Sequence, residues 1–339
     1  MRNCMKKFNV LKIFLIAVAI VTSFSVSAAD GKRIVGYVTS WGKTLPDPKL
    51  LTNINYAFGH VTDSFDGVRI DNPGRLKSVV ALKKKNKKLQ VQLSVGGWGS
   101  GNFSEMAADP EKRKAFAKDC KRVVDEYGLD GIDIDWEYPG SSAAGISSSK
   151  ADIANYNLLM KDLREVLGPK ALLTLASPAT VGFYEFKPMM PYVDFINVMA
   201  YDLNRPPYHH SSLFRSPLSG DMTADEGVRA HISGGVPAEK LVLGVPFYGH
   251  GEKKLYPDFV DYNKLTLKDG LKERYDEKAC VPYYEDGDGK LVMTFDNPKS
   301  LKRKAEYVKQ NGLGGMMFWD AGGDTDSHEL MKTLKKSLK

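Results

Sequence analysis

The chain has 339 residues, 42% hydrophobic and 26% charged, with 31 Gly and 17 Pro, a composition that fits a globular protein and excludes disordered, collagen-like and coiled-coil chains. The formal charge of +7 would suit a polyanionic partner, but Arg2, Lys6, Lys7 and Lys12 all lie in an N-terminal segment that reads as removable. Without it Lys+Arg falls from 48 to 44 against 41 acids, leaving +3, and nucleic-acid binding loses its main motive.

Residues 1–28 have the layout of a secretory signal. A basic head precedes an apolar run from Ile13 to Val26, interrupted only by Thr22, Ser23 and Ser25, and small residues Ser27, Ala28 and Ala29 lead to Asp30. Cleavage is expected at Ala28 or Ala29. A single membrane span is the alternative, and the run is short of the roughly 20 residues that a bilayer requires. The mature chain, residues 29–339, is thus expected to be one exported domain, periplasmic or extracellular, without membrane contact. Cys4 leaves with the signal, so Cys120 and Cys280 allow one bridge at most and no disulfide scaffold.

From Arg33 onward, short β-rich runs alternate with amphipathic stretches. Strands are predicted over residues 33–39, 53–60, 89–95, 131–136, 171–177, 194–200, 241–248 and 314–319. Most are nearly continuous apolar runs, as in parallel strands covered on both faces. Helices are predicted over 110–127, 153–167 and 298–311. The first carries the stripe Phe116, Cys120, Val123, Val124 and Tyr127, which makes Cys120 a buried thiol. Eight β runs with intervening helices predict an α/β fold, the (β/α)8 TIM barrel. A doubly wound open sheet is the alternative, but no Gly-x-Gly-x-x-Gly follows the first strand. The basic run 83–88 has no interleaved aromatic and reads as a solvated helix end rather than a phosphate or membrane patch. Residues 249–300 read as a short insertion between the seventh and eighth strands, with a hairpin turning at Asp286-Gly287-Asp288-Gly289.

The most informative stretch is Asp130-Gly131-Ile132-Asp133-Ile134-Asp135-Trp136-Glu137-Tyr138-Pro139-Gly140. On a strand, Asp133, Asp135 and Glu137 share one face, which in a barrel is the interior at the C-terminal rim. Neighbouring buried carboxylates raise one another's pKa, as suits an acid that must stay protonated near neutral pH. An oxygen cage for a metal is the rival reading. A solvated acidic edge strand is a third, against which the apolar Ile132, Ile134 and Trp136 argue. Residues 140–149 follow, where a barrel places an active-site loop.

Three more motifs fall in order: Ser94-Val95-Gly96-Gly97-Trp98 at the third run, Met199-Ala200-Tyr201-Asp202 at the sixth, and Trp319 closing the eighth. With residues 130–137 they resemble the Ser-x-Gly-Gly, Asp-x-x-Asp-x-Asp-x-Glu, Met-x-Tyr-Asp and final Trp of glycoside hydrolase family 18, the chitinase family, and the resemblance spans residues 33–320. It implies cleavage of β-1,4 linkages in chitin, chitooligosaccharides or other N-acetylglucosamine-containing chains. The implied reaction retains configuration through attack by the substrate's own acetamido oxygen, by way of an oxazolinium intermediate. Position by position, the resemblance implies Glu137 as general acid/base, Asp135 as acceptor for the acetamido N–H, Asp133 as its proton-sharing partner, and Tyr201 as donor to the acetamido carbonyl. It places Trp319 beneath the distorted sugar, Tyr37, Phe58 and Trp98 as walls, and Met199, Asp202 and Tyr248 along the cleft. Asp130, on the other parity of the strand, is expected to be structural. No cofactor and no metal are implied, and a monomer is the family default.

The match departs from the family pattern in three places. The stretch Leu203-Asn204-Arg205-Pro206-Pro207-Tyr208-His209-His210 lacks the Trp that many chitinases carry after Met-x-Tyr-Asp, with Tyr208 as a stand-in. His250 occupies a position where many relatives have Arg. The insertion is shorter than the lid of some members, so a shallower cleft is expected. His209 and His210 lack a third ligand at suitable spacing and read as surface loop. Within this chemistry, an endo-β-N-acetylglucosaminidase acting on N-glycans is the alternative to a chitinase. A non-catalytic chitin-binding lectin is a further one, against which the presence of Glu137 argues.

Overall fold

The computed structural model describes residues 31–339; the expected signal segment and Cys4 lie outside them. The strands in chain order are β1 (Arg33–Thr39), β2 (Asn53–Val61), β3 (Val68–Ile70), β4 (Gln90–Gly96), β5 (Gly131–Asp135), β6 (Leu172–Pro178), β7 (Phe195–Met199), β8 (Leu241–Pro246), β9 (Tyr248–Gly251), β10 (Phe259–Asp261), β11 (Lys272–Asp276), β12 (Val281–Glu285), β13 (Leu291–Thr294) and β14 (Gly315–Trp319). The helices are α1 (Pro73–Val80), α2 (Phe103–Ala108), α3 (Pro110–Tyr127), α4 (Asp152–Leu167), α5 (Phe186–Met189), α6 (Ala224–Ser233), α7 (Pro298–Gln310) and α8 (Glu329–Ser337).

Strands β1, β2, β4, β5, β6, β7, β8 and β14 pair side by side, all parallel, and the β1–β2 pairing closes the ring. This is the expected (β/α)8 barrel, with β3 as a short antiparallel edge on β2. The seventh predicted run was expected to continue to Tyr248, but its strand ends at Pro246. Phe247 donates its N–H to the Trp319 carbonyl at 2.7 Å, and the chain then leaves the barrel as β9.

The insertion is more than the expected hairpin. It is a five-stranded antiparallel sheet in the order β10-β9-β13-β12-β11, with its own apolar cluster of Tyr256, Tyr284, Val292, Met293 and Phe295. Its strands are only three to five residues long, and β10 and β11 contain no buried residue, so they carry little periodic signal.

Helix α3 shows how the outer layer is specified. Asp109 accepts hydrogen bonds from the N–H groups of Glu111 and Lys112, Pro110 occupies the first turn, and Gly128 at φ 66° ends the helix. Its inner face buries Phe116, Ala117, Cys120, Val123 and Val124 against the barrel. Cys120 and Cys280 are both buried and unbridged.

Inside the ring, the period-2 alternation of the strands brings Asn55, Gln92, Ser94, Asp133, Thr174 and Asn197 together, all fully buried. A second apolar cluster, which includes Tyr37, Phe58, Tyr201, Tyr248 and Met317, lies with them. Asp130 sits at the other end of β5, where it accepts from the Val91 N–H at 2.7 Å and from Lys83 Nζ at 2.8 Å, the structural role expected of it.

Candidate active site

At the C-terminal ends of the barrel strands lies a cavity of about 530 Å³, lined by Tyr37, Trp41, Phe58, Trp98, Asp135, Glu137, Tyr138, Met199, Tyr201, Asp202, Arg205, Tyr248, Phe259 and Trp319. Every expected site residue except Asp133 faces it. Asp133 lies one pleat deeper on β5 and is fully buried. Trp41, Tyr138, Arg205 and Phe259 had not been singled out as contacts. Tyr208, the stand-in for the absent Trp, is 44% exposed and does not line the cavity.

The Ser-x-Gly-Gly motif has a steric basis. A Cβ on Gly96 (φ 130°) would lie 2.0 Å from the Asp135 carbonyl oxygen, and one on Gly97 (φ 94°) would lie 2.6 Å from the Phe58 ring. Both glycines let β4 close onto the end of β5, where the Gly97 N–H donates to the Asp135 carbonyl at 2.9 Å. The loop after β5 is tied down by buried Asp152, at the start of α4. Its carboxylate accepts from Ser104 Oγ (2.7 Å) and from the N–H groups of Gly140 (3.1 Å) and Ser149 (2.7 Å). Behind Glu137, Trp136 turns outward and stacks on Phe103 at 5.3 Å.

The three carboxyls of β5 occupy different environments. Asp133 accepts four hydrogen bonds: from Tyr37 Oη at 2.7 Å and Ser94 Oγ at 2.8 Å on one oxygen, and from Thr174 Oγ1 at 2.6 Å and Asn197 Nδ2 at 3.2 Å on the other. Burial raises its pKa, and these donors pull it back. Asp135 has a buried Oδ1 with no hydrogen-bond partner. Burial, then the charges of Glu137 and Asp133, push its carboxyl well above the usual range. Asp133 is therefore built to carry the charge, and Asp135 takes up a proton more readily. Burial also raises Glu137, which hydrogen bonding by Tyr138 opposes and the Asp202 charge assists, to about 7.

Aromatic rings shape the walls. Trp319 stacks on Phe58 at 5.7 Å and 20°, with Tyr37 at 5.6 Å and Trp41 at 6.4 Å. Trp98 stands edge-on to Tyr138 at 6.3 Å. Phe259, from the inserted sheet, stacks on Tyr248 at 4.2 Å. The buried Tyr201 ring packs edge-on to Tyr248, its hydroxyl 3.8 Å from Met317 Sδ.

Asp202 adopts φ 57°, the left-handed region that Asp tolerates. Its Oδ1 accepts from Tyr248 Oη at 2.7 Å and lies 2.7 Å from His250 Nε2 and 3.6 Å from His210 Nδ1. Burial raises this carboxyl, but the two histidines outweigh it and hold the group far below the usual carboxylate range. Here the sequence reading of His209 and His210 as surface loop is corrected, for both are fully buried. The inserted sheet covers them: His209 Nδ1 lies 3.2 Å from Thr294 Oγ1, and the His210 ring packs against Tyr248 and His250.

Comparison with known proteins accords with this geometry. Residues 33–324 match the family described as "Glycosyl hydrolases family 18". The chain is 31% identical to chitinase A1 of Niallia circulans over 97% of its own length and 62% of that protein's, so it spans under two thirds of that relative. It is 32% identical to chitinase 1 of Aphanocladium album, covering 85% of this chain and 74% of the other. Among solved structures, a family 18 N-acetylglucosaminidase from Paenibacillus barengoltzii superposes with a TM-score of 0.81 at 34% identity, covering 91% of this chain and all of that one. Together, a family match over nearly all of the described residues, a closed parallel barrel and an acidic β5 rim establish that the chain belongs to glycosyl hydrolases family 18.

Proposed function

We propose that the protein is an exported hydrolase that cleaves β-1,4 linkages in chitin or chitooligosaccharides with retention of configuration, using the substrate's acetamido group as nucleophile. The observation that carries this reading is the pairing, on one wall of an aromatic cavity, of Glu137, a carboxyl held up to about 7, with Asp135, whose Oδ1 has no partner within the protein. In the first step Glu137 gives its proton to the glycosidic oxygen as that bond breaks, and the acetamido oxygen bonds to the anomeric carbon. Asp135 accepts a hydrogen bond from the acetamido N–H at its unpartnered Oδ1, and the negative charge carried by the Asp133–Asp135 pair stabilises the positive charge that develops, while the Tyr201 hydroxyl donates to the acetamido oxygen. In the second step the Glu137 carboxylate takes a proton from water, which bonds to the anomeric carbon from the face the leaving group vacated as the bond to the acetamido oxygen breaks. Holding the nucleophile within the substrate removes much of the entropic cost of attack. Trp319, Tyr37 and Phe58 supply the apolar floor on which a sugar face stacks. The basic head and apolar run of residues 1–28 support export.

The test is the product pattern from purified mature protein given chitohexaose and, in parallel, a high-mannose glycopeptide. Chitobiose and larger oligomers from chitohexaose alone are expected. Monomeric N-acetylglucosamine as the only product would instead indicate exo cleavage. Release of glycan with one N-acetylglucosamine left on the peptide would make the protein an endo-β-N-acetylglucosaminidase. Glu137→Gln is expected to reduce turnover by about 10³-fold or more while leaving sugar binding nearly intact. Turnover of a chain whose acetamido groups are replaced by hydroxyls would refute the substrate-assisted mechanism.

A further inference from the structure

We propose that Asp202, His210 and His250 form a binding site for a divalent transition-metal ion, Zn²⁺ by donor type, where Asp202 and Tyr248 line the cavity. Each of the three side chains offers one ligand atom, and these atoms lie within 4.8 Å of one another. Two imidazoles and one carboxylate are the donor set that zinc takes in open sites, with a fourth position left for water or substrate.

Three features of the site go beyond proximity. His250 Nδ1 lies 2.6 Å from the Asp258 carbonyl oxygen, to which it donates, so the ring turns Nε2 toward Asp202 Oδ1. A backbone carbonyl that orients the far nitrogen in this way is the usual support of a metal-binding histidine. His210 is fully buried, and neither ring nitrogen has a hydrogen-bond partner, with Nδ1 facing Asp202 Oδ1 at 3.6 Å. A buried imidazole without partners is costly, and a metal ion on Nδ1 satisfies one of the two nitrogens. The carboxylate itself is 48% exposed on the cavity side, so the fourth position opens to solvent while the histidines close the back.

The two separations from Asp202 are close to those required, and the two imidazole nitrogens lie within 4.8 Å of each other. Zinc bonds of about 2.0–2.1 Å at tetrahedral angles set ligand atoms about 3.3 Å apart. His210 and Asp202 meet that spacing. His250 and Asp202, at 2.7 Å, must part by roughly half an ångström, which a small rotation of the exposed carboxylate supplies. Arg205, whose Nη1 lies 3.9 Å from Asp202 Oδ1, is half exposed and also pairs with Asp258 at 3.3 Å, so it can withdraw to that partner. Sequence spacing concealed the triad, because its ligands stand at positions 202, 210 and 250 and the last is delivered by β9.

The proposal does not depend on which glycan is cut. Its test is equilibrium dialysis of chelator-treated mature protein against Zn²⁺, with Co²⁺ as a spectroscopic probe. One equivalent of Zn²⁺ bound at about 10 µM or below, with a visible Co²⁺ band of tetrahedral intensity, is expected. His250→Gln and His210→Gln should each weaken binding by about 100-fold. Failure to bind at about 100 µM Zn²⁺, or equal binding by both folded variants, overturns the proposal. Should the variants not fold, crystals of the unaltered protein soaked in Zn²⁺ decide: an anomalous peak between the three side chains supports the site, and metal found only elsewhere refutes it.

Discussion

Asp133 is the residue whose replacement best separates structure from chemistry, because it touches no part of the cavity yet accepts four hydrogen bonds. In Asp133→Ala, Asn197 keeps Tyr37 Oη as an acceptor at 3.5 Å, while the hydroxyls of Tyr37, Ser94 and Thr174 lose theirs in a fully buried layer. At about 1–3 kcal/mol for each buried unsatisfied donor, the cost is about 5 kcal/mol, a large part of the roughly 5–15 kcal/mol that holds a domain together. For a chain of this length that corresponds to a fall in Tm of about 8 °C. Asp133→Asn should behave differently. Its carbonyl must face Thr174 and Asn197, since the Asn197 amide can only donate there, and its NH₂ then faces two hydroxyls that can turn to accept. A cost of about 1–2 kcal/mol follows. The loss of charge also removes one of the influences that raise Asp135. Scanning calorimetry of both variants at neutral pH is the assay. An Ala variant within about 1 °C of the parent, or an Asn variant as damaged as the Ala variant, would refute the four-donor argument.

Further expectations concern the cavity and the core. Gly97→Ala forces a side chain into φ 94° and a contact of 2.6 Å with Phe58, so KM should rise several-fold with a loss of about 2 kcal/mol in stability; an unchanged melt and KM would contradict the steric reading. Asp202→Asn removes a charge that helps hold Glu137 up to about 7. Because the protonated acid is the active form, the alkaline limb of the pH–rate profile should move to lower pH, and a shift to higher pH would exclude this coupling. His231 is buried between Ser177 Oγ (2.9 Å) and the Gly227 carbonyl (2.8 Å), and burial lowers its pKa to about 4. The unfolded chain takes up that proton near pH 6.5, so stability is full above that pH and about 3 kcal/mol is lost as pH falls to 4. Denaturant titrations from pH 7 to 4 should show the loss, and His231→Gln should flatten it.

The barrel was legible because its strands are apolar runs bounded by clear breaks, and the reactive rim because period 2 forces Asp133, Asp135 and Glu137 onto one face. Trp41 escaped because it stands beyond the end of β1, exposed and outside any periodic pattern. Phe259 escaped because it reaches the cavity on a three-residue strand of the inserted sheet. The fates of His209 and His210 were concealed by their setting, since two histidines after two prolines look like open loop until a sheet from residues 248–294 covers them. The polar layer of Asn55, Gln92, Thr174 and Asn197 was equally unreadable: each residue is an isolated polar position flanked by apolar neighbours in its strand, and only ring closure reveals that these positions meet around Asp133.

The placing of the tryptophans has a practical consequence. Of the four in the chain, Trp41, Trp98 and Trp319 line the cavity, and the first two are 63% and 64% exposed, whereas Trp136 is sealed in the outer layer. The protein's intrinsic fluorescence is therefore largely a signal from its own binding site over a constant background from one indole. A sugar laid across the two exposed rings should shift emission to the blue, so occupancy can be followed without label, coupled enzyme or turnover, including in variants that no longer cleave.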